Sequence, residues 1–181
     1  MAAIIITGTP GTGKTTVSKI IAKAINSPLI AINDLIIEKH LYNGHDNEKG
    51  YKIVDMESLS KEINLIINNT AEHVIVEGHL AHDFEVDELV EFVIVLRTRP
   101  SVLRKRLNKR EWSESKIQEN VEAEALDLCT FEAVEIHGDK VHELDTSDLD
   151  VDEVSEIVIQ ILNGKKHLPP GNINFLEELL G

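Results

Sequence analysis

The sequence predicts an α/β fold, a parallel sheet with helices on both faces. Two observations carry this. Short apolar, β-branched runs alternate along the chain with segments of helical period, and the strands read as continuous apolar runs, as strands buried on both faces do. The first run also stops at a glycine-rich loop that opens a helix. With 181 residues, 42% hydrophobic and 28% charged, the chain fits one domain with a sizeable core.

Ala3 to Thr7 is the first strand, and Val17, Ile20, Ile21, Ala24 and Ile25 recur behind it at helical spacing. Pro28 to Ile32 gives a second strand, with Asn33 or Asp34 as the cap of a helix running toward Leu41. A polar stretch containing Gly44 and Gly50 follows. Leu59, Ile63, Ile66 and Ile67 mark an amphipathic helix, Val74 to Val76 a buried strand ending at Glu77, and Phe92 to Leu96 another strand. Pro100 suits the first turn of a helix that sends Val102, Leu103 and Leu107 to the core and keeps a basic outer face. From Ser113 one long helical pattern continues to about Ile136 and stops at Gly138. Val141 to Leu144 is the last strand, Val154 to Ile161 lie on the final helix, and the tail after Gly164 could dock through Ile173, Phe175, Leu176 and Leu179.

Composition excludes several function classes. The net charge of −14 opposes non-specific binding to a nucleic-acid backbone. Apolar stretches are broken by charges too often to span a membrane. The single cysteine, Cys129, cannot pair internally, and no secretory leader is visible, so a cytoplasmic location is expected.

Gly8-Thr9-Pro10-Gly11-Thr12-Gly13-Lys14-Thr15 satisfies G-x-x-x-x-G-K-[ST] between a strand and a helix, the context that identifies a phosphate-binding P-loop. Its glycines let consecutive amide N–H groups face phosphate oxygens, and the helix N-terminus adds favourable partial charge. Lys14 is expected on the β- and γ-phosphates, Thr15 on Mg²⁺, and Thr16 on the α-phosphate. Glu77, at a strand end, is placed to hold the metal's water shell. Its alternative is a solvated charge, and His79 beside it is structural or catalytic on residue type alone. The other histidines show no zinc-ligand spacing. No Asn-Lys-x-Asp guanine-reading motif occurs.

All five arginines, Arg97, Arg99, Arg104, Arg106 and Arg110, fall in one short segment. Guanidinium suits bidentate phosphate contact, so the cluster points to phosphate handling, with a basic solvated helix face as the plain alternative. Arg110 sits where the basic helix gives way to the next, before Glu111-Trp112-Ser113, where a short lid could close. Trp112 admits two readings, stacking on a base or pinning the lid.

The loop Thr7 to Thr16, the strand Val93-Ile94-Val95-Leu96-Arg97-Thr98, the segment Arg106-Leu107 to Arg110, and Ser113-Glu114-Ser115-Lys116-Ile117-Gln118-Glu119-Asn120 together resemble the adenylate kinase isoenzyme 6 family, from about Ile4 to about Val154. The resemblance implies a nucleoside monophosphate kinase-like P-loop NTPase fold, with a monophosphate-binding insertion at about 31–54 and a short lid at about 109–119. It implies ATP held by Gly11, Thr12, Gly13, Lys14, Thr15, Thr16 and Arg110. It puts the metal on Thr15 and, through water, Glu77, with Lys14, Arg110, Glu77 and His79 catalytic. Asp34, Lys39 and Arg97 are expected at the acceptor. The implied activity is ATP plus AMP giving two ADP, with Mg²⁺, alongside ATPase activity. The implied partner is a ribosomal protein in small-subunit maturation. In place of the family's insertion arginine the chain carries Ile37, leaving Lys39 the nearest cation, and the family's Asp-x-His becomes Glu77-Gly78-His79. These departures leave an ATPase switch with little kinase activity, or a small-metabolite kinase, as rival readings.

Overall fold

A computed structural model describes residues 2–46, 51–83 and 89–180. Among them, strands β1 (Ala3–Thr7), β2 (Leu29–Ala31), β5 (Val74–Glu77), β6 (Val90–Arg97) and β7 (Val141–Asp145) form one parallel sheet in the order β2-β5-β1-β6-β7. Helix α1 (Lys14–Ala24) follows β1, and α7 (Val151–Leu162) follows β7. The remaining helices are α2 (Ile32–Lys39), α3 (Met56–Asn68), α4 (Pro100–Asn108), α5 (Glu114–Ala125), α6 (Leu128–His137) and the short α8 (Glu177–Leu180).

The period of two splits each central strand between two cores. Ile5, Val76, Val93 and Val95 point to one face, packed with Leu35, Leu59, Ile63 and Ala133 of α2, α3 and α6. Ile4, Ile6, Ile75, Ile94 and Leu96 point to the other, packed with Val17 and Ile21 of α1 and Val154 and Val158 of α7. Each such aliphatic side chain, removed from water, contributes about 1.5–3 kcal/mol against the entropy of ordering the chain. The expected two-faced parallel sheet is therefore present.

Four local readings change. The segment 42–54, expected as a polar connection, contains the antiparallel hairpin β3 (Tyr42–Asp46) and β4 (Tyr51–Val54), while residues 47–50 of the expected insertion lie outside the described residues. Neither Asn33 nor Asp34 caps α2, because Ala31 occupies that position and Ile32 is already helical. The helix expected from Ser113 to Ile136 is two helices, α5 and α6, broken at Asp127, which adopts a left-handed φ of 63°. Ser113 is the cap of α5, as its sequence suggests. The tail does dock: Phe175 is buried, Leu179 packs against α4 and α5, and the Leu168 carbonyl accepts from Glu143 N at 2.9 Å. Leu176, by contrast, is left exposed. Among the described residues no helix is long and apolar enough to cross a membrane.

Candidate active site

The carboxyl ends of β1 and β5 open onto a cavity of about 880 Å³, near the upper end of the roughly 300–1,000 Å³ seen for ligand sites. The P-loop forms its floor. Gly8, Gly11 and Gly13 have φ of 133°, 100° and 102°, the region that side chains resist. A Cβ on Gly8 would come within 2.3 Å of the Leu96 carbonyl oxygen, and one on Gly11 within 2.8 Å of Leu103. Gly13 caps α1 without a side-chain hydrogen bond, so no capping side chain covers the amides at its start.

Lys14 Nζ donates to the Gly8 and Thr9 carbonyls at 2.7 and 3.0 Å, folded back over its own loop. Burial lowers its pKa to about 8, opposed by Cys129, Glu77 and Glu124. Thr15 Oγ1 donates toward the Glu77 carboxylate, 3.2 and 3.4 Å from its two oxygens. Burial raises the Glu77 carboxyl above its usual range, with Lys14 and Thr15 pulling the other way. His79, on the same wall, is kept neutral: burial and the nearby Lys14 charge lower it to about 4.

Arg110 lies on the cavity wall with its guanidinium 5.8 Å from the centre of the Trp112 ring, whose face also holds Lys116 Nζ at 4.0 Å. These cations over its ring hold Trp112 within the segment 109–119 expected as a lid, which favours the pinning reading of that residue. Thr16 reaches both this cavity and a smaller hollow of about 190 Å³ behind the loop, lined by Thr12, Arg106 and Leu149.

The rest of the arginine cluster has a different role from the one expected. Arg97 is 1% exposed and fully engaged within the protein. Its Nε donates to Glu124 at 2.8 Å, and its terminal nitrogen pairs with Asp127 and Glu143. A guanidinium so enclosed cannot clamp an acceptor; it is shared among three carboxylates where β6, β7 and the α5–α6 break meet. Arg99 pairs with Asp148, Arg104 with Glu114, and Arg106 reaches the Thr146 carbonyl at 3.1 Å. The segment's basic face is thus mostly structural.

Two other acceptor candidates fall outside the cavity lining. Lys39 is drawn to Glu62 at 2.8 Å, and Asp34 is exposed in the first turn of α2, near enough to Glu77 to raise its pKa. Their neighbours Asn33 and Ile37 line the cavity instead, with Lys52 of β4. The side of a helix that faces a ligand is set by its docking angle, which a one-residue reading does not reveal. Cys129 is also on the cavity wall, its thiol pushed up to about 11 by burial.

Residues 4–127 match the sequence profile of the AAA domain family. The chain is 43% identical over 178 residues to a protein of Methanothermobacter thermautotrophicus, covering 98% of this chain and 99% of that one. It is 40% identical to one of Archaeoglobus fulgidus, covering 97% and 93%. Both relatives carry the name "Putative adenylate kinase". Among solved structures, shikimate kinase from Acinetobacter baumannii superposes with a TM-score of 0.65 at 16% identity, covering 92% of this chain and 95% of that one. Shikimate kinase from Bacteroides thetaiotaomicron gives 0.58 at 20% identity, covering 90% and 98%. At that identity the likeness speaks for the P-loop α/β fold alone. Through its AAA-domain match and its near full-length archaeal relatives, the chain belongs to an adenylate kinase-like family of P-loop proteins.

Proposed function

We propose that the protein is an ATP-dependent phosphotransferase that moves the γ-phosphoryl group of ATP to AMP, giving two ADP. One observation carries this reading: the P-loop, the Thr15–Glu77 pair and Arg110 all face a single cavity with room for a donor and an acceptor together. The names of the archaeal relatives support it.

The chain's own residues divide the work. Amides of Gly11, Gly13 and the first turn of α1 hold the phosphates of the donor. Lys14 leaves the Gly8 and Thr9 carbonyls and turns to the β- and γ-phosphates. Thr15 Oγ1 and the Glu77 carboxylate offer only oxygen donors, a set that fits Mg²⁺, with Glu77 acting through water. When bound, that ion neutralises charge developing on the phosphate oxygens. Arg110 approaches the transferring group as the segment 109–119 closes and excludes water. The segment 31–54 receives the acceptor, through Asn33 and Lys52 rather than Lys39. His79, being neutral, accepts or donates a hydrogen bond without adding charge.

A second reading is an ATPase with little transfer, acting with a basic small-subunit ribosomal protein during subunit maturation. Ile37 favours it: 57% exposed on the cavity wall, it puts an apolar side chain where a phosphate-binding cation would sit. Incubating ATP and Mg²⁺ with each nucleoside monophosphate and with small hydroxylated acceptors, then separating the products, tests both. Formation of ADP that depends on AMP supports the kinase. Hydrolysis indifferent to every acceptor supports the ATPase.

A further inference from the structure

Beside the P-loop cavity a second cluster of chemically active side chains is left unused by this mechanism. It comprises His82 and Asp83, in the 3₁₀ turn Ala81–Asp83 after β5, and Glu132 on α6. From His82 Nε2, Glu132 Oε2 is 3.1 Å away and Asp83 Oδ1 3.5 Å. Bonds of about 2.0–2.2 Å from one ion to an imidazole nitrogen and carboxylate oxygens put neighbouring donors about 3.0–3.5 Å apart, the edge of a coordination polyhedron. The cluster has those edges already.

A separate contact fixes the histidine for such a role. Its other ring nitrogen, Nδ1, lies 2.7 Å from Thr7 Oγ1 at the end of β1, and both residues are fully buried. With Nδ1–H donating to Thr7, the Nε2 lone pair points at two carboxylates, an arrangement that a cation resolves. Metal-bound histidines have this kind of support on their second nitrogen. Asp83 and Glu132 both line the cavity, so the cluster opens toward the substrates rather than into the core.

We propose that His82, Asp83 and Glu132 bind a first-row divalent transition cation such as Zn²⁺ or Mn²⁺, separate from the ion expected at Thr15 and Glu77. The mixed nitrogen and oxygen set selects this class over Mg²⁺, which takes oxygen donors. Three protein ligands leave coordination positions open to the cavity, and there the ion receives a phosphate or hydroxyl oxygen of the acceptor. This last role rests on the kinase reading, while cation binding does not. The ion also supplies positive charge in a cavity where Ile37 supplies none.

The test uses the full chain, stripped with a chelator and free of nucleotide, titrated with Mn²⁺ by electron paramagnetic resonance and with Zn²⁺ by calorimetry. One equivalent is expected to bind. Glu132→Gln and Asp83→Asn, at partly exposed positions that the fold tolerates, each weaken binding at least tenfold, and Thr7→Val weakens it about 10–100-fold through the lost support. Glu77→Gln leaves that equivalent in place. Failure of both ions to bind, or binding that Glu132→Gln and Asp83→Asn do not alter, overturns the proposal. Because no ATP or acceptor is present, neither result depends on the kinase reading.

Discussion

Thr15 Oγ1 lies 3.2 Å from Glu77 Oε1, although the two residues come from separate strand-loop units. Parallel pairing of β1 and β5 matches Ile6 with Glu77, so the end of one strand delivers the acid to the P-loop carried by the other. Glu77→Gln keeps the shape of that pair and removes its charge. Turnover at saturating ATP and Mg²⁺ is expected to fall by roughly 100-fold, while nucleotide binding without Mg²⁺ persists. Steady-state kinetics beside calorimetric ATP binding checks both halves.

Lys14 gives a pH signature. Its folded-state pKa of about 8 is below its ordinary 10.5, so between those values the unfolded chain holds a proton that the folded chain has released. Stability from this group therefore rises as pH climbs from about 8 to about 10.5, and its burial cost is fully present below pH 8. A bound triphosphate restores the ammonium, so binding near pH 9 takes up close to one proton. Calorimetry in buffers of different ionisation enthalpy measures that uptake, and Lys14→Ala removes it while weakening ATP binding by about 10²–10³-fold.

His79 produces a dependence of the same sign on the acid side. Its pKa is lowered from 6.5 to about 4, so the unfolded chain takes up a proton first as pH falls. The stability involved is intact above pH 6.5 and is lost progressively toward pH 4, on the order of 2–3 kcal/mol across the window. Denaturant titrations over that range should show the loss in the wild type and a shallower one in His79→Asn. His142, also lowered by burial, keeps the variant from becoming flat.

Arg97 is a stability residue by its surroundings. Arg97→Ala leaves Glu124, Asp127 and Glu143 without their shared cation and is expected to cost roughly 3–5 kcal/mol. Urea titration measures this, and the KM for the acceptor should stay unchanged wherever the variant is folded. A fully stable variant with a raised acceptor KM would return Arg97 to the substrate.

The P-loop and the sheet were legible because their signals are local: glycine spacing, a lysine at a fixed offset, and apolar runs whose alternate residues feed two cores. The break at Asp127 was not legible, since the apolar pattern continues through it and the Arg97 that pairs with its carboxylate at the left-handed turn stands 30 residues away in sequence. Arg97 itself misled because its partners stand up to 46 residues away, and an unpaired guanidinium in sequence reads as a phosphate clamp. The hairpin at 42–54 carries too little apolar alternation to announce itself. His82 and Glu132 are 50 residues apart, beyond any ligand-spacing rule, and meet only because α6 packs over the turn after β5.

The measurement that bears most directly on the central claim follows the γ-phosphoryl group itself. ATP labelled at the γ position, Mg²⁺ and AMP are mixed with the protein, and the label is located after separation. Transfer puts it in the β-phosphate of newly formed ADP, with AMP consumed in equal amount and none of this with Lys14→Ala. Label recovered wholly as inorganic phosphate, with AMP untouched, would contradict phosphoryl transfer to AMP.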